Sequence, residues 1–204
     1  MKSRLVAGLA VAVFAACGPP DVPNLYNPGT TIVCLGDSIT AGVGTGDQPA
    51  YPELLARRLG VSVVDAGVPG DTTGDALARL PRALDHDPWL VIVELGGNDL
   101  LRRVPAERVE ANLRRIVEGV LEAGAVPLLV ELEGGFFVSR LEDVFERLED
   151  DYGVPLVDDV MDDVLTDRKL KSDQIHPNAA GHVRLAEAVA EEIEPLLKAR
   201  WRHP

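Results

Sequence analysis

The sequence predicts an α/β fold: one three-layer α/β/α domain built around a five-stranded, doubly wound parallel sheet. Short runs rich in β-branched residues occur at Thr31 to Leu35, Val61 to Asp65, Leu90 to Leu95, Val126 to Glu131 and Pro155 to Val157. Longer stretches with apolar residues at steps of three and four separate them, which is the alternation of βαβ units with right-handed crossovers. Runs such as Leu90-Val91-Ile92-Val93 are continuously apolar, as suits strands covered by helices on both faces. With 204 residues, 46% of them hydrophobic, the chain can bury one sizeable core but not two.

The chain opens with Met1-Lys2-Ser3-Arg4 and an apolar run from Leu5 to Ala16. A spanning helix needs about 20 apolar residues, so this segment reads as a secretory signal and places the protein in the cell envelope. Phe14-Ala15-Ala16-Cys17 resembles a bacterial lipobox, which makes residues 1–16 the signal peptide and Cys17 the lipid anchor to a membrane. Gly18-Pro19-Pro20-Asp21-Val22-Pro23-Asn24 is proline-rich and aperiodic, so residues 17–29 are expected to be a flexible tether and 30–200 the folded domain. The remaining cysteine, Cys34, lies within the first apolar run and is expected to be a small core residue.

Further along, Val109, Leu113, Ile116, Val117, Val120 and Leu121 mark one face of a helix that Gly124 can terminate. Leu185, Val189, Ile193 and Leu196 do the same near the C-terminus. Acidic residues outnumber basic ones 33 to 20, for a net charge of −13, which argues against nucleic acid as a partner. Gly42-Val43-Gly44-Thr45-Gly46 lacks the Lys-Ser/Thr of a phosphate loop and is expected to be a flexible loop at the mouth of a site. There is no Gly-x-Ser-x-Gly elbow and no cluster with metal-ligand spacing, so neither metal nor cofactor is implied.

In sheets of this kind ligands bind beyond the carboxyl ends of the strands. Three loops leave from that rim: Gly36-Asp37-Ser38-Ile39-Thr40, Ala66-Gly67-Val68 and Gly96-Gly97-Asn98-Asp99. A fourth segment, Asp173-Gln174-Ile175-His176-Pro177, precedes the last helix, because Pro177 disfavours helix at His176. A serine hydroxyl needs a neighbouring base, and that base needs a carboxylate to fix its tautomer. Asp173 and His176, three residues apart, can supply both to Ser38. The other histidines suit this less: His86 lies in a polar turn, His182 inside the last helix and His203 in the tail. Taken singly, each block could equally be turn or cap chemistry.

In order and spacing these four blocks resemble those of the SGNH/GDSL hydrolases, closest to the small bacterial arylesterase, lysophospholipase and acyl-CoA thioesterase branch. That resemblance implies a flavodoxin-like sheet and a serine hydrolase acting on fatty-acyl, aryl-ester or lysophospholipid substrates, esters or thioesters, without a cofactor. It assigns Ser38 as nucleophile, with Asp173 and His176 completing the triad. It assigns the oxyanion hole to the Ser38 N–H, the Gly67 N–H and the Asn98 amide. Asp37 and Asp99 are expected to be structural. Leu100, Leu101, Phe136 and Phe137 are expected to line an acyl groove. The rival readings are a carbohydrate O-acetylesterase on the same scaffold and a lipid-anchored binding module without catalysis.

Overall fold

Segments that are apolar at every position must be covered on both faces, and they occupy the middle of the sheet. In the computed structural model, which describes residues 21–132 and 141–202, β1 (Thr31–Gly36), β3 (Pro88–Glu94) and β4 (Val126–Val130) are almost wholly buried. At one edge β2 (Ser62–Gly67) exposes Ser62 and Asp65, and at the other β5 (Leu156–Val157) is two residues long. The order is β2-β1-β3-β4-β5 and all four pairings are parallel. The expected five-stranded parallel sheet is therefore present. Cys34 is fully buried within β1, and burial pushes its thiol well above the usual range.

Seven helices accompany the strands in the described residues: α1 (Tyr51–Leu59), α2 (Thr73–Leu84), α3 (Gly97–Leu101), α4 (Ala106–Glu122), α5 (Glu142–Tyr152), α6 (Val160–Thr166) and α7 (Ala179–Trp201). α1 packs on α7 and α2 on α4. The faces read from the sequence are the buried ones, Val109, Leu113, Ile116, Val117 and Val120 on α4 and Leu185, Val189, Ile193 and Leu196 on α7. Each such side chain contributes about 1.5–3 kcal/mol by leaving water. Among the described residues no helix is long and apolar enough to cross a membrane.

The expected tether is corrected over its described part. Leu25 is buried, and Val22 packs against the core. Asn24 Nδ2 donates to the carbonyls of Leu121 and Ala125, and Asn27 Nδ2 to those of Gly124 and Trp89. Arg200 near the end of α7 lies over the Trp89 ring, 4.6 Å from its centroid, and donates to the carbonyls of Leu25, Asn27 and Gly29. Side chains from two distant elements thus satisfy the backbone of a proline-rich segment, which composition alone reads as linker. Among the described residues, the folded unit includes Val22 onward. Residues 1–16, Cys17, Phe136 and Phe137 lie outside the described residues.

A carboxyl ends the central strand. Glu94 has no solvent exposure, its Oε2 accepts from Thr40 Oγ1 at 2.8 Å, and its Oε1 has no hydrogen-bond partner. The Thr40 hydroxyl also lies 3.0 Å from Tyr51 Oη, and either oxygen can donate in that pair. Burial, reinforced by the nearby Asp37 charge, drives Glu94 well above the usual carboxylate range, and the Thr40 contact offsets only part of this. β1, α1 and β3 thus meet around a buried carboxyl that resists ionisation.

Two outcomes follow. Leu25→Ala should lower stability by about 2–3 kcal/mol in urea unfolding, whereas an independent tether would leave it unchanged. Glu94 binds a proton on folding, so its contribution is fully present below the unfolded carboxyl value and is lost as pH rises toward the raised folded one. Wild type should therefore lose stability relative to Glu94→Gln as pH rises from 5 to 9, by up to about 1.4 kcal/mol per pH unit. A pH-independent difference between the two proteins would show that Glu94 is charged.

Candidate active site

β1, β2 and β3 end side by side, with Gly36 paired to Gly67 on one side and to Glu94 on the other. The chain turns sharply after β1. Asp37 Oδ1 accepts the Ile39 N–H at 3.0 Å, and the Ser38 carbonyl accepts the Val43 N–H at 2.9 Å. These bonds hold Ser38 at the apex of the turn. Arg79 of α2 fixes the rim from behind, donating to the Gly36 and Ala66 carbonyls and pairing with Asp71.

His176 lies on a tight turn. Lys171 bridges to Pro177 in antiparallel fashion, and the Ser172 N–H donates to the His176 carbonyl at 2.9 Å. Asp173 Oδ1 accepts the N–H groups of Ile175 and His176, both at 2.9 Å, and Oδ2 lies 2.8 Å from His176 Nδ1. Burial raises the Asp173 carboxyl, but these two N–H groups and the imidazole outweigh it and hold the group below its ordinary value. An ionised carboxylate can only accept, so Nδ1 carries the proton and Nε2 presents a lone pair. Nε2 lies 3.0 Å from Ser38 Oγ. His176 precedes α7, as Pro177 implied, and Asn178 caps that helix by accepting from Ala180 and Gly181.

The Gly42–Gly46 segment differs from its expected part. It is a run of hydrogen-bonded turns, with Thr45 Oγ1 donating to the Gly42 carbonyl. Gly44, at φ +103, packs so closely that a Cβ would come within 2.5 Å of the Pro177 carbonyl and Ser172 Oγ. The segment is a brace under the Asp173–His176 turn.

On the opposite side of Ser38, Asn98 Nδ2 donates to Asp37 Oδ2 at 2.8 Å and to the Asp71 carbonyl at 3.0 Å. Asp37 is raised by burial, and the contacts with Ile39, Ser38, His176 and Asn98 oppose that rise. Asp99 accepts from the N–H and hydroxyl of Thr73, both at 2.8 Å, and so ties α3 to the start of α2. Both aspartates have the structural contacts expected of them. Gly67 differs: its N–H donates to Asp65 Oδ1 at 2.8 Å, and a Cβ would lie 2.4 Å from the Ala41 nitrogen. Its small size serves packing between β2 and the Ser38 turn, and its donor is spent. Gly70, at φ +88, lies beside the Asp71 carbonyl that holds Asn98, and its N–H meets no partner among the described residues.

Ser38, His176, Asn98, Leu101, Leu132 and Ile175 line one cleft. Beside it a cavity of about 350 Å³ is bounded by Leu101, Asp173, Gln174 and Ile175. Leu101 is 41% exposed at this mouth, whereas Leu100 turns back onto the core. Leu100 therefore leaves the expected groove. His182 takes no part: it is buried in α7, its Nδ1 accepts the Tyr51 N–H at 3.2 Å, and burial pushes it down to about 4. Arg79, Glu94, Thr40 and Tyr51 were not legible as parts of the site, because no local pattern marks residues that act from behind it.

This geometry has parallels in known proteins. The thioesterase 1/protease 1/lysophospholipase L1 of Escherichia coli (strain K12) is 36% identical, over 82% of this chain and 85% of that protein. An arylesterase of Vibrio mimicus is 32% identical, over 79% of this chain and 87% of that protein. The crystal structure of TesA superposes with a TM-score of 0.75 at 31% identity, covering 81% of this chain and 99% of that one. A psychrotrophic esterase from Pseudoalteromonas, solved with monoethylphosphonate as inhibitor, superposes with a TM-score of 0.73 at 26% identity, covering 83% and 99%. Residues 34–184, a span that contains Ser38, Asn98, Asp173 and His176, match the GDSL-like lipase/acylhydrolase family, and the chain belongs to that family.

Proposed function

We propose that the chain hydrolyses carboxylic esters or thioesters carrying an apolar acyl group, through an acyl-enzyme on Ser38. The observation that carries this reading is the unbroken line from Ser38 Oγ to His176 Nε2, at 3.0 Å, and from His176 Nδ1 to Asp173 Oδ2, at 2.8 Å. His176 takes the hydroxyl proton as Ser38 attacks the carbonyl carbon. The imidazolium that forms is stabilised by Asp173, then returns the proton to the departing oxygen or sulfur. Water, activated by the same imidazole, attacks the acyl-enzyme and releases the acid.

The negative oxygen of the tetrahedral intermediate needs donors. Those assigned to it are the Ser38 N–H, the Asn98 amide and a glycine N–H. Because Asp65 occupies the Gly67 donor, the glycine assigned is Gly70. The Asn98 amide is held by Asp37 and the Asp71 carbonyl, so substrate must take over one of these hydrogens as it binds. Leu101, Leu132 and Ile175 at the cleft support an apolar acyl group over the acetate of a carbohydrate O-acetylesterase. Relatives named lysophospholipase and arylesterase point the same way.

The reading includes export, with residues 1–16 as signal and Cys17 as the lipid-bearing first residue, supported by the basic start, the apolar run and the lipobox-like segment. Mass spectrometry of the mature protein should find a diacylglyceryl-modified Cys17; an intact Met1, or an unmodified mature chain starting elsewhere, would remove the anchor.

Ser38→Ala should lower kcat by more than about 10³-fold while leaving thermal unfolding unchanged. It should also abolish covalent labelling by a fluorophosphonate, and activity within a few-fold of wild type would refute the assignment. Asn98→Ala should cost on the order of 10²–10³ in kcat. With p-nitrophenyl esters the rate should rise from acetate to medium-chain acyl groups. A sharp preference for acetate would instead favour the O-acetylesterase.

A further inference from the structure

A second cavity of about 320 Å³ is lined by Arg168, Lys171, Ser172, Asp173 and Gln174. We propose that this cavity is a leaving-group subsite that binds a phosphate carried on the alcohol or thiol released by the enzyme. The proposal rests on the esterase reading and extends it to the half of the substrate that departs.

Direction comes first. The imidazole must hand its proton to the leaving atom, so the leaving group lies over His176, whereas the oxyanion faces Asn98. The turn that carries His176 is also the wall of this cavity, through Ser172, Asp173 and Gln174. A leaving group longer than a few atoms therefore runs along that wall.

Charge comes second. In a chain of net charge −13, Arg168-Lys169-Leu170-Lys171 puts three cations into four positions, ending two residues before Asp173. Among the described residues, Arg57, Arg58, Arg79, Arg114, Arg147 and Arg184 pair with carboxylates. Arg168, Lys169 and Lys171 form no ion pair with a carboxylate among the described residues. Lys171 Nζ donates to the Leu165 carbonyl, which keeps the ammonium at the wall and leaves two of its three protons unspent. Arg168 offers its planar fork of N–H donors, a shape matched to phosphate oxygens. Asp173 shares the cavity, but its oxygens are engaged by two N–H groups and the imidazole.

Rigidity comes third. Asn178 Nδ2 donates to the carbonyls of Lys169 and Lys171, at 2.8 and 3.2 Å, and the Asn178 N–H donates to Leu170. The residue that caps α7 thus also clips the cationic segment, so the cations and His176 are held in one frame. A pre-formed cationic wall lowers the ordering cost of binding.

The test compares matched substrates with one medium-chain acyl group, carried either on coenzyme A or on N-acetylcysteamine, and either on glycerol 3-phosphate or on glycerol. Wild type should show a higher kcat/KM for the phosphorylated member of at least one pair, and added salt should erase that advantage. Arg168→Gln should reduce the advantage about 5- to 10-fold, through KM, and Arg168→Glu further. Lys171→Gln should act in the same direction. An advantage confined to the thioester pair identifies a phosphorylated thiol as the source, and one confined to the glycerol pair identifies a phospholipid. Equal kcat/KM within both pairs, or an advantage untouched by Arg168→Glu, overturns the proposal. Calorimetry of coenzyme A and of glycerol 3-phosphate against Ser38→Ala reads the subsite without turnover. Binding there that Arg168→Glu abolishes upholds the subsite even if all four substrates prove inert, which would sink only the esterase reading; no binding together with inert substrates would end both.

Discussion

The level at which three parallel strands stop is the constraint on which the site depends. Gly36, Gly67 and Glu94 are partners across two ladders, so the loops that follow leave from one line. Ladder bonds fix that line, and a slip of one strand would carry its loop away and turn its side chains to the wrong face. Ser38 and Asn98 are 60 residues apart in sequence, yet Asp37, next to Ser38, accepts a hydrogen bond from the Asn98 amide at 2.8 Å. Arg79 strengthens the same line by spanning the carbonyls of Gly36 and Ala66. His176 comes from outside the sheet, and its placement needs separate devices: the Asp173 turn, the Gly44 brace and the Asn178 cap.

Two carboxyls close behind the nucleophile could have destabilised this arrangement. Burial raises the affinity of both for protons, and the Asp37 charge raises that of Glu94 further in the low dielectric of the core. The chain separates their fates by environment. Glu94, fully enclosed and with one oxygen unpartnered among the described residues, resists ionisation and acts as a member of the Thr40–Tyr51 cluster. Asp37 receives donors from Ile39 and Asn98, which oppose the effect of its burial. These contacts favour charge on the carboxyl that orients Asn98 over the one that ends the strand.

Local pattern made most of the fold legible. β4 and the apolar faces of α4 and α7 could be read because period and punctuation are properties of short windows. Ser38, Asp173 and His176 were legible because each sits in a compact turn motif and because the rim rule brings the motifs together. Long-range satisfaction was not legible. The stretch 17–29 reads as linker until Arg200, more than 170 residues away from its described end, is seen to take the carbonyls of Leu25, Asn27 and Gly29. Leu100 and Leu101 could not be told apart, because α3 spans only five residues and shows too little periodicity to fix its inward face. Gly67 was misread for a related reason: a glycine at a strand end can admit a substrate or a neighbouring backbone, and the Ala41 contact decides for the latter.

The clipped segment also orients the molecule. Val22 to Gly29 binds at Trp89, Gly124 and Ala125, where β3 and β4 begin, whereas Ser38 lies just past the end of β1. The seven residues of β3 separate those two levels by about 23 Å. The segment that precedes β1 is thereby fixed at the end of the sheet opposite to Ser38.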